Sequence, residues 1–230
     1  MYCFSEALSA ELTSEDVVAS GSSGSAVELF LLAFQVKENQ RVFHTRGLGA
    51  MGFGVPASIG ACLGAGGRRT VCVDGDGSFQ MNVQELETLR RLQLPVKLFV
   101  INNEGYASIR SAQRSYFHHL VAADSTSGLS LPDVKKVAAA YGLPFTRISN
   151  QQDLRHQIRS VLDIPGPVVC EVLAVVDEER APRLSSTQRP DGSMVSMPLE
   201  DLWPFLDREE LRANMFIPTL DDELEAGGPT

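Results

Sequence analysis

Short Val-rich runs alternate with helical segments along this chain. The runs Val17 to Ser20, Thr70 to Val73, Val96 to Ile101, Phe145 to Ile148 and Val168 to Val175 have the length and composition of buried strands. Between them Ala26 to Phe34, Pro56 to Leu63, Val83 to Leu92, Leu131 to Tyr141 and Gln152 to Leu162 carry apolar residues at helical spacing. Strands that are apolar on both faces, each followed by a helix, imply an α/β fold with a mostly parallel sheet covered on both faces. In such a sheet, ligands bind beyond the carboxyl ends of the strands, so the residues that follow each strand are where chemistry is expected.

From Asp177 the composition turns to Pro, Ser, Arg and charged residues. The expected organisation is a domain over 1–176, an arm over 177–220 packing on that domain or on a neighbouring subunit, and a disordered tail over 221–230. The formal net charge of -9 argues against nucleic acid as a partner, because phosphate neutralisation needs clustered cations. Cys3, Cys62, Cys72 and Cys170 form no C-x-x-C pair, which suits a reduced, cytoplasmic setting. Glu6 and Glu11 stand where a signal peptide would need a basic start, and no apolar run reaches membrane-spanning length, so neither secretion nor a membrane is expected.

The run Thr70 to Val73 leads into Asp74-Gly75-Asp76-Gly77-Ser78, which leaves a carboxylate at the end of a strand between glycines that allow close approach of a ligand. The next strand ends in Asn102-Asn103, with 24 residues between Gly77 and Asn102. That interval holds one helix and one returning strand, so both strand ends reach the same edge of the sheet. Asp76, Asn103 and a nearby backbone carbonyl then make an all-oxygen set suited to Mg²⁺ or Ca²⁺, completed by phosphate and water. Either piece alone also reads as a plain turn or a helix cap; it is their spacing together that favours a site. His44, His118, His119 and His156 show no ligand spacing.

The arrangement Gly75-Asp76-Gly77, 24 residues, Asn102-Asn103 resembles the cofactor motif of thiamine-diphosphate-dependent enzymes. Gly47-Leu48-Gly49-Ala50-Met51-Gly52-Phe53-Gly54 looks like the matching segment of the acetohydroxyacid synthase and 2-oxo acid decarboxylase superfamily. The resemblance runs from Asp16 to Val175, the span of that family's C-terminal, diphosphate-binding domain, and implies the thiamine-diphosphate-binding fold with thiamine diphosphate and Mg²⁺ as cofactors. It implies Asp76, the Asn103 side chain and the Gly105 carbonyl as metal ligands. It assigns Gly77 and Ser78 amides, with the turn Ser22-Ser23-Gly24-Ser25, to the diphosphate, and small residues opening a helix suit that task. The Gly49 carbonyl would accept from the aminopyrimidine, and Met51 would wedge under the bent cofactor; taken alone, Met51 reads as a core methionine.

The resemblance also implies a partner. In this family a glutamate on a separate pyrimidine-binding domain activates the cofactor, and that domain is not expected within this chain. The expectation is a domain or subunit of an acetolactate synthase-like enzyme, either a split subunit that needs a partner carrying the glutamate or a fragment of a longer protein, working as an oligomer on a 2-oxo acid by decarboxylation or carboligation. After Asn103 the chain departs from acetohydroxyacid synthases, which show Gly-Met-Val and then Trp where it has Ala107-Ser108-Ile109 and Ala112; this weighs against acetolactate as product. Tyr106, Arg110, Gln113 and Arg114 would put a phenol and two guanidinium groups near the mouth of the site, or else form a solvated helix face. Two rivals stand beside this reading. Gly47-x-Gly49-x-x-Gly52 with Asp74 about 22 residues further on fits an NAD-dependent oxidoreductase, although Arg41 to Arg46 is a poor buried strand. A non-catalytic subunit of the same fold is the other.

Overall fold

The structure, a computed structural model, describes residues 1–21, 24–45, 47–188 and 192–217; the side chains of Ser25, Thr187 and Gln188 are outside that description. Six strands form one parallel sheet: β1 (Val17–Ser20), β2 (Arg41–His44), β3 (Thr70–Gly75), β4 (Val96–Asn102), β5 (Phe145–Ile148) and β6 (Val168–Leu173), in the order β2-β1-β3-β4-β6-β5. The helices are α1 (Tyr2–Glu11), α2 (Glu28–Ala33), α3 (Gly54–Gly64), α4 (Asp76–Phe79), α5 (Glu85–Leu92), α6 (Ala107–Phe117), α7 (Val134–Ala140) and α8 (Leu154–Leu162).

The strands read as continuous apolar runs because each of their two faces meets a different core. On one side Val71, Val73, Phe99, Ile101 and Cys170 pack with Phe4 and Leu8 of α1, Leu29 and Phe30 of α2, and Ile158 and Val161 of α8. On the other side Cys72, Leu98, Val100 and Val169 pack with Val55 and Ile59 of α3, Leu86 and Leu89 of α5, and Val134 and Ala138 of α7. Successive residues of β3 and β4 alternate between these cores, as the two-residue period of a strand requires. Each fully buried aliphatic chain contributes about 1.5–3 kcal/mol. The α5 helix shows the complementary pattern: Leu86 and Leu89 point inward while Glu87 and Arg90 pair outside at 2.5 Å.

Several boundaries differ from those expected. The α3 helix begins at Gly54, two residues before Pro56, because proline is compatible with a first helical turn, where its missing N–H has no helical partner. The α7 helix begins at Val134 because the Asp133 side chain caps it, accepting the Lys136 amide at 2.9 Å. A 3-10 turn, Gly24–Ala26, precedes α2. The α1 and α6 helices and the β2 strand have no counterpart among the expected elements. β2 is mostly exposed at the edge of the sheet, which is why Arg41 to Arg46 does not read as a buried strand.

The chain divides into two compact units, Met1–Glu178 and Glu179–Thr230. In the second, β7 (Ser186–Gln188) pairs antiparallel with β8 (Met194–Ser196), and α9 (Arg208–Asn214) is capped by the Asp207 side chain. Arg183 lies 4.7 Å over the Trp203 ring. The tail expected over 221–230 lies outside the described residues.

Candidate cofactor site

β3 and β4 are adjacent and in register to their ends, with Gly75 beside Ile101 and Asp74 beside Val100. The chain leaves β3 directly into the short helical turn α4, whose first residue is Asp76, and leaves β4 into the turn Asn103–Tyr106 that opens α6. Asp76 and Asn103 are therefore brought to neighbouring strand ends, 3 % and 5 % exposed. Gly24, Met51, Gly77, Ser78 and Gly105 line the same cleft. Gly49 turns with φ +60° in the segment before α3 and is not among the residues that line the cleft. Ser22 and Ser23 lie outside the described residues, as does the Ser25 side chain.

Asp76 Oδ1 accepts the Gly77 amide at 2.7 Å and Oδ2 accepts the Gly105 amide at 3.0 Å. Burial pushes its carboxyl up to about 6, against the lowering effect of those amides and of the Arg110 charge. A carboxylate oxygen that accepts one amide keeps lone-pair capacity for a cation. Among the described residues, no group of three or more His, Cys, Asp and Glu could hold a metal. An ion at Asp76 would draw on an amide, a backbone carbonyl and phosphate oxygens, a donor set that suits Mg²⁺. Asp76, the Asn103 side chain and the Gly105 carbonyl are oxygen donors of the kind that would hold Mg²⁺.

The third segment of the site is bound to the first by contacts that the sequence pattern did not reveal. Ser78 Oγ accepts the Gly52 amide at 2.9 Å, and Asn82 Nδ2 donates to the Gly52 carbonyl at 2.8 Å. The Gly47–Gly54 segment is thereby fastened to the turn that carries Asp76, which brings Met51 to the cleft. Tyr106 lies so close over Gly77 that any side chain there would collide with its ring. Gly105 has φ +133°, a region open to glycine, and a Cβ on it would overlap the Ala123 carbonyl oxygen.

The polar residues expected at the mouth are differently placed. Tyr106 lines the cleft, but Arg110 is 1 % exposed and donates to backbone carbonyls. Arg114 pairs with Asp177 at 2.8 Å, and Gln113 is bonded to the backbone of Val121 at 3.0 and 2.8 Å. These arginines do not supply an anion-binding rim. His118 and His119 are exposed beyond the end of α6.

The dinucleotide alternative requires Asp74 to reach a ribose. Asp74 is instead fully buried; a Cβ on Gly54 would lie 2.5 Å from its Oδ2, and Gly21 closes the other side. Burial raises its carboxyl to about 7. The strand before the glycines is the edge strand β2, so that reading is not favoured.

Comparison with known proteins agrees with the geometry. Residues 20–172 match the family described as thiamine pyrophosphate enzyme, C-terminal TPP binding domain. Acetolactate synthase 1, chloroplastic, of Nicotiana tabacum is 34% identical over 181 residues, covering 76% of this chain and 27% of that protein. Acetolactate synthase 2, chloroplastic, of Brassica napus is 37% identical over 159 residues, covering 66% of this chain and 25% of that protein. The acetolactate synthase large subunit of Cyanidium caldarium is 31% identical over 158 residues, with 69% and 27% covered. The chain therefore spans about a quarter of the length of these relatives. Family membership brings thiamine diphosphate and Mg²⁺ as cofactors. The chain belongs to the thiamine pyrophosphate enzymes and carries their C-terminal cofactor-binding domain.

Proposed function

We propose that this chain is the diphosphate-binding part of an acetolactate synthase-like enzyme acting on a 2-oxo acid. The observation that carries the reading is the convergence of Asp76, Asn103 and Gly105 at the ends of two adjacent parallel strands, in a cleft shared with Gly24, Met51, Gly77 and Ser78. Asp76, the Asn103 side chain and the Gly105 carbonyl would ligate Mg²⁺, and Gly77, Ser78 and the turn Ser22 to Ser25 would face the diphosphate. The Gly49 carbonyl would meet the aminopyrimidine, and Met51 would support the bent cofactor from below. When bound, thiamine diphosphate supplies the carbon nucleophile and the electron sink for loss of carbon dioxide. The chain's own part would be to hold the metal and diphosphate at Asp76, Asn103, Gly105, Gly77 and Ser78 and to pack Met51 against the cofactor.

The activating glutamate would come from a pyrimidine-binding domain or subunit, which makes an oligomer the working form. The Ala107-Ser108-Ile109 segment, where acetohydroxyacid synthases have Gly-Met-Val, leaves both decarboxylation and carboligation as outcomes. Cys62, Cys72 and Cys170 are buried free thiols, which supports a reduced compartment such as the cytoplasm, while two of the relatives above are named chloroplastic. Among the described residues, no helix is long and apolar enough to cross a membrane.

The test is thermal unfolding of the purified protein with Mg²⁺ alone, with Mg²⁺ and thiamine diphosphate, and with Mg²⁺ and NAD. At a ligand concentration of 100 Kd the bound form gains about 2.7 kcal/mol, a shift of several degrees. Thiamine diphosphate is expected to give it, and Asp76→Ala to remove it. A shift with NAD in its place overturns the reading.

A further inference from the structure

Arg110 is a charged side chain 1 % exposed, and the site as described gives it no task. Burying a guanidinium costs several kcal/mol unless acceptors meet its donors, so its acceptors indicate what it is for. Nη2 donates to the Asn103 carbonyl at 3.0 Å and to the Val176 carbonyl at 2.6 Å. Nη1 donates to the Glu104 carbonyl at 3.2 Å. Nε faces Asp177 Oδ1 at 3.3 Å as an ion pair outside hydrogen-bond geometry.

The two peptide units held in this way are Asn103–Glu104 and Glu104–Gly105. Between them Glu104 adopts φ +60°, a left-handed conformation that costs a non-glycine residue about 1–3 kcal/mol unless its surroundings impose it. These peptides join Asn103, whose side chain is one proposed ligand, to Gly105, whose carbonyl is another. On the other side of the turn, the Tyr106 amide donates to the Ala123 carbonyl at 2.9 Å and the Gly105 amide to Asp76 at 3.0 Å. Arg110 closes the remaining side and ties the turn to the chain leaving β6.

We propose that Arg110 is a positioning residue for the metal site, clamping the left-handed turn so that the Asn103 amide and the Gly105 carbonyl face the ion together; this rests on the function proposed above. Lysine would keep the charge but lacks the planar fork needed to reach the carbonyls of Asn103, Glu104 and Val176 at once. Residues that orient metal ligands commonly cost 10–100-fold in metal affinity when replaced.

The experiment is calorimetric titration of Mg²⁺ into the purified protein at a fixed excess of thiamine diphosphate, for wild type, Arg110→Lys, Asp177→Asn and Lys97→Met. Lys97 lies at the opposite end of β4, buried, with Nζ donating to the Ile164 and Gly166 carbonyls, so its loss removes a comparable internal clamp remote from the site. Arg110→Lys is expected to raise the half-saturating Mg²⁺ about ten-fold or more, and Asp177→Asn about three-fold. Lys97→Met is expected to lower the unfolding temperature and leave the Mg²⁺ requirement within two-fold of wild type. A requirement unchanged in Arg110→Lys, or raised equally in Lys97→Met, overturns the proposal while leaving the cofactor site standing. If Arg110→Lys fails to fold, Asp177→Asn, at a carboxylate 53% exposed, decides by the same criterion. A wild-type protein that shows no Mg²⁺-dependent binding of thiamine diphosphate removes the reading of the site and the proposal with it.

Discussion

Replacing Gly105 by alanine tests whether the turn after β4 is as tightly defined as its contacts imply. At φ +133° a residue with a Cβ is strained by about 1–3 kcal/mol. The added Cβ would also overlap the Ala123 carbonyl oxygen and lie 3.2 Å from the Asp124 Cα, both backbone atoms that cannot swing aside as a side chain could. Relief requires the two segments to separate, which breaks the 2.9 Å bond from the Tyr106 amide to Ala123. Losing that bond at the partly buried Tyr106 costs about 0.5–1.5 kcal/mol. The two contributions share one distortion and do not add in full, so the expected loss is about 3 kcal/mol in urea unfolding of the unliganded protein. Because the Gly105 carbonyl is a proposed metal ligand, stabilisation by Mg²⁺ and thiamine diphosphate should disappear as well. A loss under about 1 kcal/mol, with ligand stabilisation intact, would refute the reasoning.

Two further substitutions probe one contact at the site and one at the opposite edge of the sheet, where β1 and β3 begin. Ser78→Ala leaves the buried Gly52 amide without its acceptor and should cost about 1–3 kcal/mol in urea unfolding, with faster hydrogen exchange at that amide; unchanged exchange would show that Ser78 does not anchor the glycine-rich segment. Asp16 accepts two bonds from Arg69 at 2.6 and 2.7 Å and the Thr13 amide at 2.6 Å; burial alone would raise its carboxyl, but the Arg69 fork and Thr13 outweigh burial and hold it below the usual range. A depressed folded value means that the stabilisation is present above the unfolded carboxylate pKa and lost as pH falls through the folded one. Asp16→Asn should therefore cost about 2 kcal/mol at neutral pH, less than a fully buried pair because Arg69 stays 30% exposed, and the difference from wild type should shrink on acidification. A gap independent of pH in urea unfolding from pH 7 down to pH 2 would reject the assignment.

What could be read from the sequence was local. Apolar runs that end in Gly, Asp or Asn located β1, β3, β4, β5 and β6, and the interval between Gly77 and Asn102 placed the ends of β3 and β4 side by side, because one helix fits the crossover between adjacent parallel strands. The missed elements lacked a local signal. β2 exposes most of its residues at the edge of the sheet, so its burial pattern has no period to detect. The α1 helix buries Ser5 and Ser9, whose hydroxyls bond back to the Met1 and Glu6 carbonyls at 3.0 and 2.9 Å, and these polar residues hide its apolar face.

The misplaced arginine shows why residue type alone does not assign a role in a site. On a helix, Arg110 reads as a solvated or ligand-facing charge, since nothing nearby in sequence announces that carbonyls from Asn103, Glu104 and Val176 converge on it, the last 66 residues away. Arg110, Arg114, Gln113 and the Ser78 hydroxyl bond to the protein itself. Asp76, Asn103, Met51 and Tyr106 form the wall of the cleft. With the arginines bonded within the protein, a ligand in the cleft would meet Tyr106 and the small residues Ala107 and Ser108, and under the proposed function substrate preference should respond to changes at Tyr106 more than at Arg114.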